Sequence, residues 1–195
     1  MPVLLFQIVQ MIATAVIDFF TLMLLARFFM QWQRVSFRSQ IGAFVITVTD
    51  WVVLPLRRVI PGLFGLDLAS LVPAWLAQTV LVMVNFLLLS ATFVGWGVLL
   101  PGALGLGLIG LGVMIVWLIC IVVIASAILS WFGPHLPAAY ILNALTRPFL
   151  APFRRVVPPI AGVDLSPLVL LLLLQILLMV FEQIRSGFVQ FLLVH

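Results

Sequence analysis

Charge is the scarcest commodity in this sequence. Only 7% of the 195 residues are charged, against roughly 25% in an average soluble domain. Lysine is absent altogether, so all nine basic residues are arginines, and the acids are Asp18, Asp50, Asp67, Asp164 and Glu182. So few charges cannot cover a soluble fold of this size. They also leave no polar segment that could form a solvated basic surface, so a nucleic-acid partner is not expected. The net charge of +4 instead suits anionic lipid head groups. Cysteine is almost as scarce. Cys120 stands alone in an apolar run, so no disulfide partner is expected. His135 and His195 are the two histidines. Without a Cys/His cluster neither a zinc nor an iron–sulfur site is expected, and no cofactor is implied. Catalytic groupings are missing too. Ser126 and Ser130 have no histidine or acid close by in sequence, and neither paired carboxylates nor a glycine-rich phosphate loop occurs. The expectation is a protein that is not an enzyme.

What the chain does have is apolar length. Hydrophobic residues make up 66% of it, and about 20 in succession cross a bilayer core of about 30 Å. Four segments qualify, at about 3–32, 71–100, 103–132 and 167–193. The first has no basic n-region and runs too long for a cleaved signal, so it is expected to be the first membrane span. Trp32, Trp75, Trp96 and Trp131 fall near the ends of the segments, as interfacial aromatics do. Leu100-Pro101-Gly102 reads as a tight, uncharged turn between the second and third spans. The other two connections, about 33–70 and 133–166, hold Arg34, Arg38, Arg57, Arg58, Arg147, Arg154 and Arg155. The 101–102 turn and the C-terminal end hold no basic residue. The positive-inside rule then puts both long loops in the cytoplasm and both termini outside.

The two loops repeat one another. Residues 49–72 and 146–169 align at an offset of 97 with eleven of 24 positions identical, among them Pro55, Arg57, Arg58, Pro61, Gly65 and Asp67 and their partners Pro152, Arg154, Arg155, Pro158, Gly162 and Asp164. Upstream, Gln31-Trp32 aligns with Ser130-Trp131 at an offset of 99. The unit is a helix, a loop with P-x-R-R-V-x-P-x-x-x-G-x-D-L, and a helix. Two crossings per unit leave both copies in one orientation, as parallel repeats are.

This pattern resembles the YggT family, which includes the plastid Ycf19-type proteins. Thr146-Arg147-Pro148, Pro152-Phe153-Arg154-Arg155, Pro158-Pro159 and Gly162-Val163-Asp164-Leu165-Ser166-Pro167 carry the family motif in full, and the ARFFMQW stretch at 26–32 is similar to the family's first helix. The first copy departs from the motif at Trp51, Gly62 and Ala69-Ser70. The resemblance implies an all-α membrane protein with four transmembrane helices in two parallel helix–loop–helix repeats, 1–100 and 101–195, each with a Pro/Arg-rich interfacial loop. It implies a bacterial inner (plasma) membrane location and a role without catalysis. Family links run to osmotic stress tolerance, cell division and nucleoid distribution, and cytochrome maturation in plastids.

The loop motif reads as a lipid- or partner-binding element of Arg57, Arg58, Asp67, Arg154, Arg155 and Asp164. Proline fixes φ and removes a donor, so RPFLAPFRRVVPP is expected not to be a regular helix. It is expected at the interface or buried between helices, with its arginines on phosphates or on Asp67 and Asp164. Ser166 and Pro167 read as a helix start with Asp164 at its positive end. Before each motif, 41–48 and 138–145 read as amphipathic segments, interfacial or re-entrant; in the second, Asn143 and Thr146 are placed opposite the apolar stripe.

Asp18 lies near the midplane of the first span, where an ionised acid costs on the order of 2.5–3.5 kcal/mol. Either it contacts an ion, proton or substrate, or it hydrogen-bonds to Gln78, Asn85 or Ser90 across helices. Arg27 is expected to snorkel to the interface. Ala103 and Gly107 form a small-xxx-small pair suited to helix packing or dimerisation. The leading function is an organiser of, or assistant to, other membrane components, with other membrane proteins or a second copy as partners. The rival is a small ion or solute transporter working as an oligomer, although Asp18, Gln78, Asn85 and Gln175 make a thin polar path.

Overall fold

The computed structural model describes residues 2–60, 67–89, 96–132, 137–156 and 164–194. They form six helices: α1 (Pro2–Trp32), α2 (Gln40–Arg57), α3 (Leu68–Leu89), α4 (Trp96–Phe132), α5 (Pro137–Val156) and α6 (Ser166–Val194). Pro61, Gly65, Pro158, Pro159, Gly162, Ser90, His135, His195 and the side chains of Trp96 and Trp131 lie outside the described residues.

The four apolar segments become α1, α3, α4 and α6. At 1.5 Å per residue, α1 is about 46 Å long and α4 about 55 Å, both longer than the hydrocarbon core. α1 ends where Arg34 turns left-handed at φ 54°. Val35 N donates to Met30 O at 2.8 Å and Arg34 N to Gln31 O at 3.0 Å, a Schellman stop built without the usual glycine. The buried Val35 supplies the apolar contact that accompanies such a stop.

Two expectations are corrected. The turn at Leu100-Pro101-Gly102 lies inside α4. Pro101 sits so near the helix start that it forfeits one hydrogen bond only. Gly102 serves packing instead, since a Cβ there would come within 2.7 Å of Leu192 Cδ1 on α6. Second, the Pro/Arg stretches are helical: α2 runs through Pro55, and α5 through Pro148 and Pro152. Pro148 and Pro152 are both exposed and four apart. The carbonyls of residues 144 and 148, which lose their donors, therefore share one outer face. The described residues form six helices where four spans were expected, and by length and composition five of them could cross a membrane, α2 being the fifth.

α4 is the central strut, packed against α1, α3, α5 and α6. Its glycines fit it to two neighbours. A Cβ on Gly107 would press on the Thr79 backbone of α3, 2.9 Å from its N and Cα, and one on Gly112 would lie 2.8 Å from the Phe181 ring of α6. Small residues at such points let membrane helices touch backbone to backbone. One core joins Leu24, Leu25 and Met30 of α1 to Val53 of α2, Ala74 of α3, Leu111 of α4 and Ile141 of α5. A second joins Val116 and Val123 of α4 to Leu150 of α5 and Leu174 of α6. Phe29 and Phe149 meet edge to face at 5.9 Å and tie α1 to α5. Large apolar side chains on α1 and α6, such as Leu5, Met11, Leu168 and Met179, are exposed. That is a surface for lipid, not water.

Candidate functional site: two arginine–aspartate clasps and the polar contacts between helices

Each motif closes on itself through its first arginine. Arg57, the last residue of α2, donates from Nη2 to Asp67 Oδ2 at 2.6 Å and to Gln31 Oε1 at 2.6 Å, and from Nε to Asp67 Oδ1 at 3.4 Å. Asp67 is 4% exposed and also accepts from Ser70 Oγ at 2.7 Å. Arg154, two residues before the end of α5, donates from Nε to Asp164 Oδ2 at 2.8 Å, while Ser166 N donates to Asp164 Oδ1 at 2.9 Å. Both clasps span ten residues. They pin the end of one helix to the start of the next. The second arginine of each pair, Arg58 or Arg155, is exposed and makes no ion pair among the described residues.

The clasps differ in depth. Asp67 is sealed, whereas the Asp164 side chain keeps 41% of its surface. Partial burial pushes the Asp164 carboxyl up. Hydrogen bonds from Ser166 and the Arg154 guanidinium outweigh this and hold it below its ordinary value. Capping at α6 also differs from the sequence reading. Asp164 takes the Ser166 amide, while the buried Ser166 hydroxyl has no partner among the described residues. A depressed acid stabilises the fold above its unfolded pKa of about 3.9, and that contribution fades as pH falls through the lower folded value. The Ser166 amide should therefore keep constant protection from pH 7 down to about 5 and lose it below about 4. Hydrogen exchange corrected for the intrinsic rate reads this directly. Asp164→Asn should flatten the profile, and a wild-type profile already flat to pH 2 would contradict the clasp.

Deeper in the bundle, polar side chains meet one another. Gln10 Nε2 donates to Asn85 Oδ1 at 2.7 Å. Gln78 Nε2 donates to Asp18 Oδ1 at 2.9 Å and to Thr21 Oγ1 at 3.2 Å. Each contact joins α1 to α3. Gln175 faces outward on α6, away from them. Ser126 of α4 donates to Asn143 Oδ1 of α5 at 2.8 Å, and Thr146, expected on the polar face, is 2% exposed. Among the described residues no three His, Cys, Asp or Glu are grouped to hold a metal ion.

The arginine expected to snorkel does not. Arg27 is 4% exposed, and its Nη1 donates to Asp50 Oδ1 at 2.7 Å and to Thr49 Oγ1 at 2.8 Å. This ion pair joins α1 to α2 and depends on how the two helices pack, which no sequence spacing reports.

Six helices with apolar exteriors, close glycine contacts and polar groups satisfied between helices define a multi-pass integral membrane protein. The sequence model of the CCB3/YggT family matches residues 6–89 and 106–185, and the chain belongs to that family. It is 36% identical over 165 residues to the Escherichia coli protein named "Uncharacterized protein YggT", covering 84% of each chain. It is 35% identical over 162 residues to "Uncharacterized protein PA0392" of Pseudomonas aeruginosa, covering 81% of this chain and 80% of that one. The Guillardia theta "Uncharacterized protein ycf19" is 36% identical over 55 residues, which are 28% of this chain and 57% of that protein. No solved structure matches.

Proposed function

We propose that this protein organises or assists other components of the bacterial inner membrane and catalyses no reaction itself. The observation that carries this reading is the mutual hydrogen bonding of the polar side chains between α1 and α3. Asp18, Gln78, Thr21, Gln10 and Asn85 spend their hydrogen bonds on each other between α1 and α3, so they hold helices together and line no continuous path. What remains outward is a broad apolar face and exposed arginines, Arg58 and Arg155 of the two motifs among them, placed for anionic head groups. The long, short, long order of helices occurs twice, and the two clasps sit at the same positions in each triplet. This supports two tandem copies, 1–100 and 101–195, in one orientation, with the clasps and the short helices at the cytoplasmic surface. Self-association, osmotic stress tolerance and cell division are the settings in which such a partner-binding role is to be sought.

Asp18 separates this role from transport. Asp18→Asn keeps a hydrogen-bonding end for Gln78 and removes the ionisable group. Cross-linking with mass spectrometry in native membranes should recover the same membrane-protein partners from Asp18→Asn as from the wild type. Asp18→Leu should weaken the α1–α3 contact by about 0.6–2 kcal/mol and reduce the recovery. A wild-type chain that cross-links to lipid alone and carries an ion or solute flux in proteoliposomes, abolished by Asp18→Asn, would replace this reading with transport.

A further inference from the structure

The two triplets are not equally filled. Between α4, α5 and α6 lies a partly open cavity of about 680 Å³, with Ser126, Ala127 and Ser130 of α4 and Asn143, Arg154 and Asp164 in its lining. At the offset of 99, the first triplet has Arg27, Phe28 and Gln31 where these three small residues stand. There the three side chains are engaged. Arg27 is buried on Asp50, Phe28 packs against the core, and Gln31 accepts from Arg57. Three long side chains in one copy are matched by a void in the other.

The arginines differ in the same sense. Both Nε and Nη2 of Arg57 are engaged by Asp67 and Gln31. Arg154 touches Asp164 through Nε alone, and its two terminal nitrogens have no hydrogen bond among the described residues. A guanidinium with both terminal nitrogens free, in the lining of a cavity, is a donor fork for a phosphate. The lining also holds Asn143, which accepts from Ser126, and apolar side chains from all three helices, Val123 on α4, Leu150 on α5 and Leu171 on α6. From Ser130 to Val123 the α4 wall runs about 10 Å along the helix axis. Phosphate donors beside apolar side chains from three helices fit an amphiphile better than a soluble anion.

We propose that this cavity holds one phospholipid molecule, its phosphate on the terminal nitrogens of Arg154 and an acyl chain against Val123, Leu150 and Leu171. The first triplet carries the filled counterpart and binds none. The proposal needs the chain to sit in a membrane and nothing of the partner role above.

The test uses the full chain, delipidated in detergent, with native mass spectrometry and thermal protection as readouts. The probes are palmitoyl-oleoyl phosphatidylglycerol, the matching diacylglycerol and inorganic phosphate. One phospholipid per chain should bind and protect, with phosphate and diacylglycerol at least about tenfold weaker, a difference of about 1.4 kcal/mol. Ala127→Phe with Ser130→Gln copies the first triplet, and should abolish the adduct while leaving the lipid-free melting temperature unchanged or raised. Ser130→Gln alone, which gives Arg154 the partner that Arg57 has, and Arg154→Gln should each weaken binding at least about tenfold. Equal protection by phosphate alone would make this a soluble-anion site. Equal binding of diacylglycerol would make it an apolar slot only. Undiminished phospholipid binding in all three variants would place the lipid elsewhere. Each of these overturns the proposal.

Discussion

Asp50→Ala should be among the most damaging single changes in the protein. Arg27 lies in a 5% exposed pocket and shares Nη1 between Asp50 and Thr49, while its Nε has no partner among the described residues. Removing Asp50 strands a buried guanidinium, a class of change that costs about 3–5 kcal/mol. The Asp50 side chain is 33% exposed, so water can partly replace it, and roughly 2–4 kcal/mol is expected. In a chain of this length that is a fall of roughly 5–15 °C in melting temperature in detergent. The ion pair need not be a net stabiliser for this to hold, because its desolvation cost offsets most of the attraction. Hence Arg27→Met combined with Asp50→Leu should return most of the lost stability by filling the same space with apolar atoms. A fall of less than about 2 °C for Asp50→Ala would show that Arg27 finds water. A double variant as unstable as the single would show that the charge itself is required.

The second expectation concerns which helices cross. α2 is apolar and long enough to span, about 27 Å at 1.5 Å per residue. Arg34 and Arg38 precede it, however, and Arg57 and Arg58 end it. A spanning α2 would send one of these pairs across the membrane, against the bias of basic residues toward the cytoplasm. α5 has the same place in the second triplet and, though 20 residues long, is not among the helices apolar enough to span. Both short helices are therefore expected on the cytoplasmic side, with α1, α3, α4 and α6 crossing. Reporter fusions at residues 37, 59 and 156 should all read cytoplasmic, and fusions at either terminus should read periplasmic. Opposite readings at 37 and 59 would make α2 a fifth span and put the termini on opposite sides.

The long helices were legible because bilayer thickness imposes a length that composition alone reports. The reading of 3–32 meets a helix at Pro2–Trp32, and 167–193 meets Ser166–Val194. The short helices were half legible. Their apolar starts at 41–48 and 138–145 were read, but their C-terminal halves carry Pro55, Pro148 and Pro152, and local propensity argues against helix there. Tertiary context overrode it. Val53 and Leu150 anchor the two stretches as 0% and 2% exposed core residues, while the prolines face out. The clasps were visible as candidate Arg–Asp partners through the repeat. Two features were beyond any linear reading. Arg27 finds Asp50 only because α2 folds back along α1, and the cavity in the second triplet depends on how three helices leave space between them.

The shared core sets an order on biosynthesis. Leu24, Leu25 and Met30 are completed by Leu111 and Ile141, residues translated much later than the segment they pack with. At about 5–20 residues per second, the core residues of α1 wait roughly 5–20 s beside the translocon before Leu111 and Ile141 arrive to cover them. In water such a wait would invite aggregation. In a bilayer the unmatched leucines are solvated by acyl chains as well as by protein, so the first triplet can be released into the membrane unfinished and close when the second reaches it.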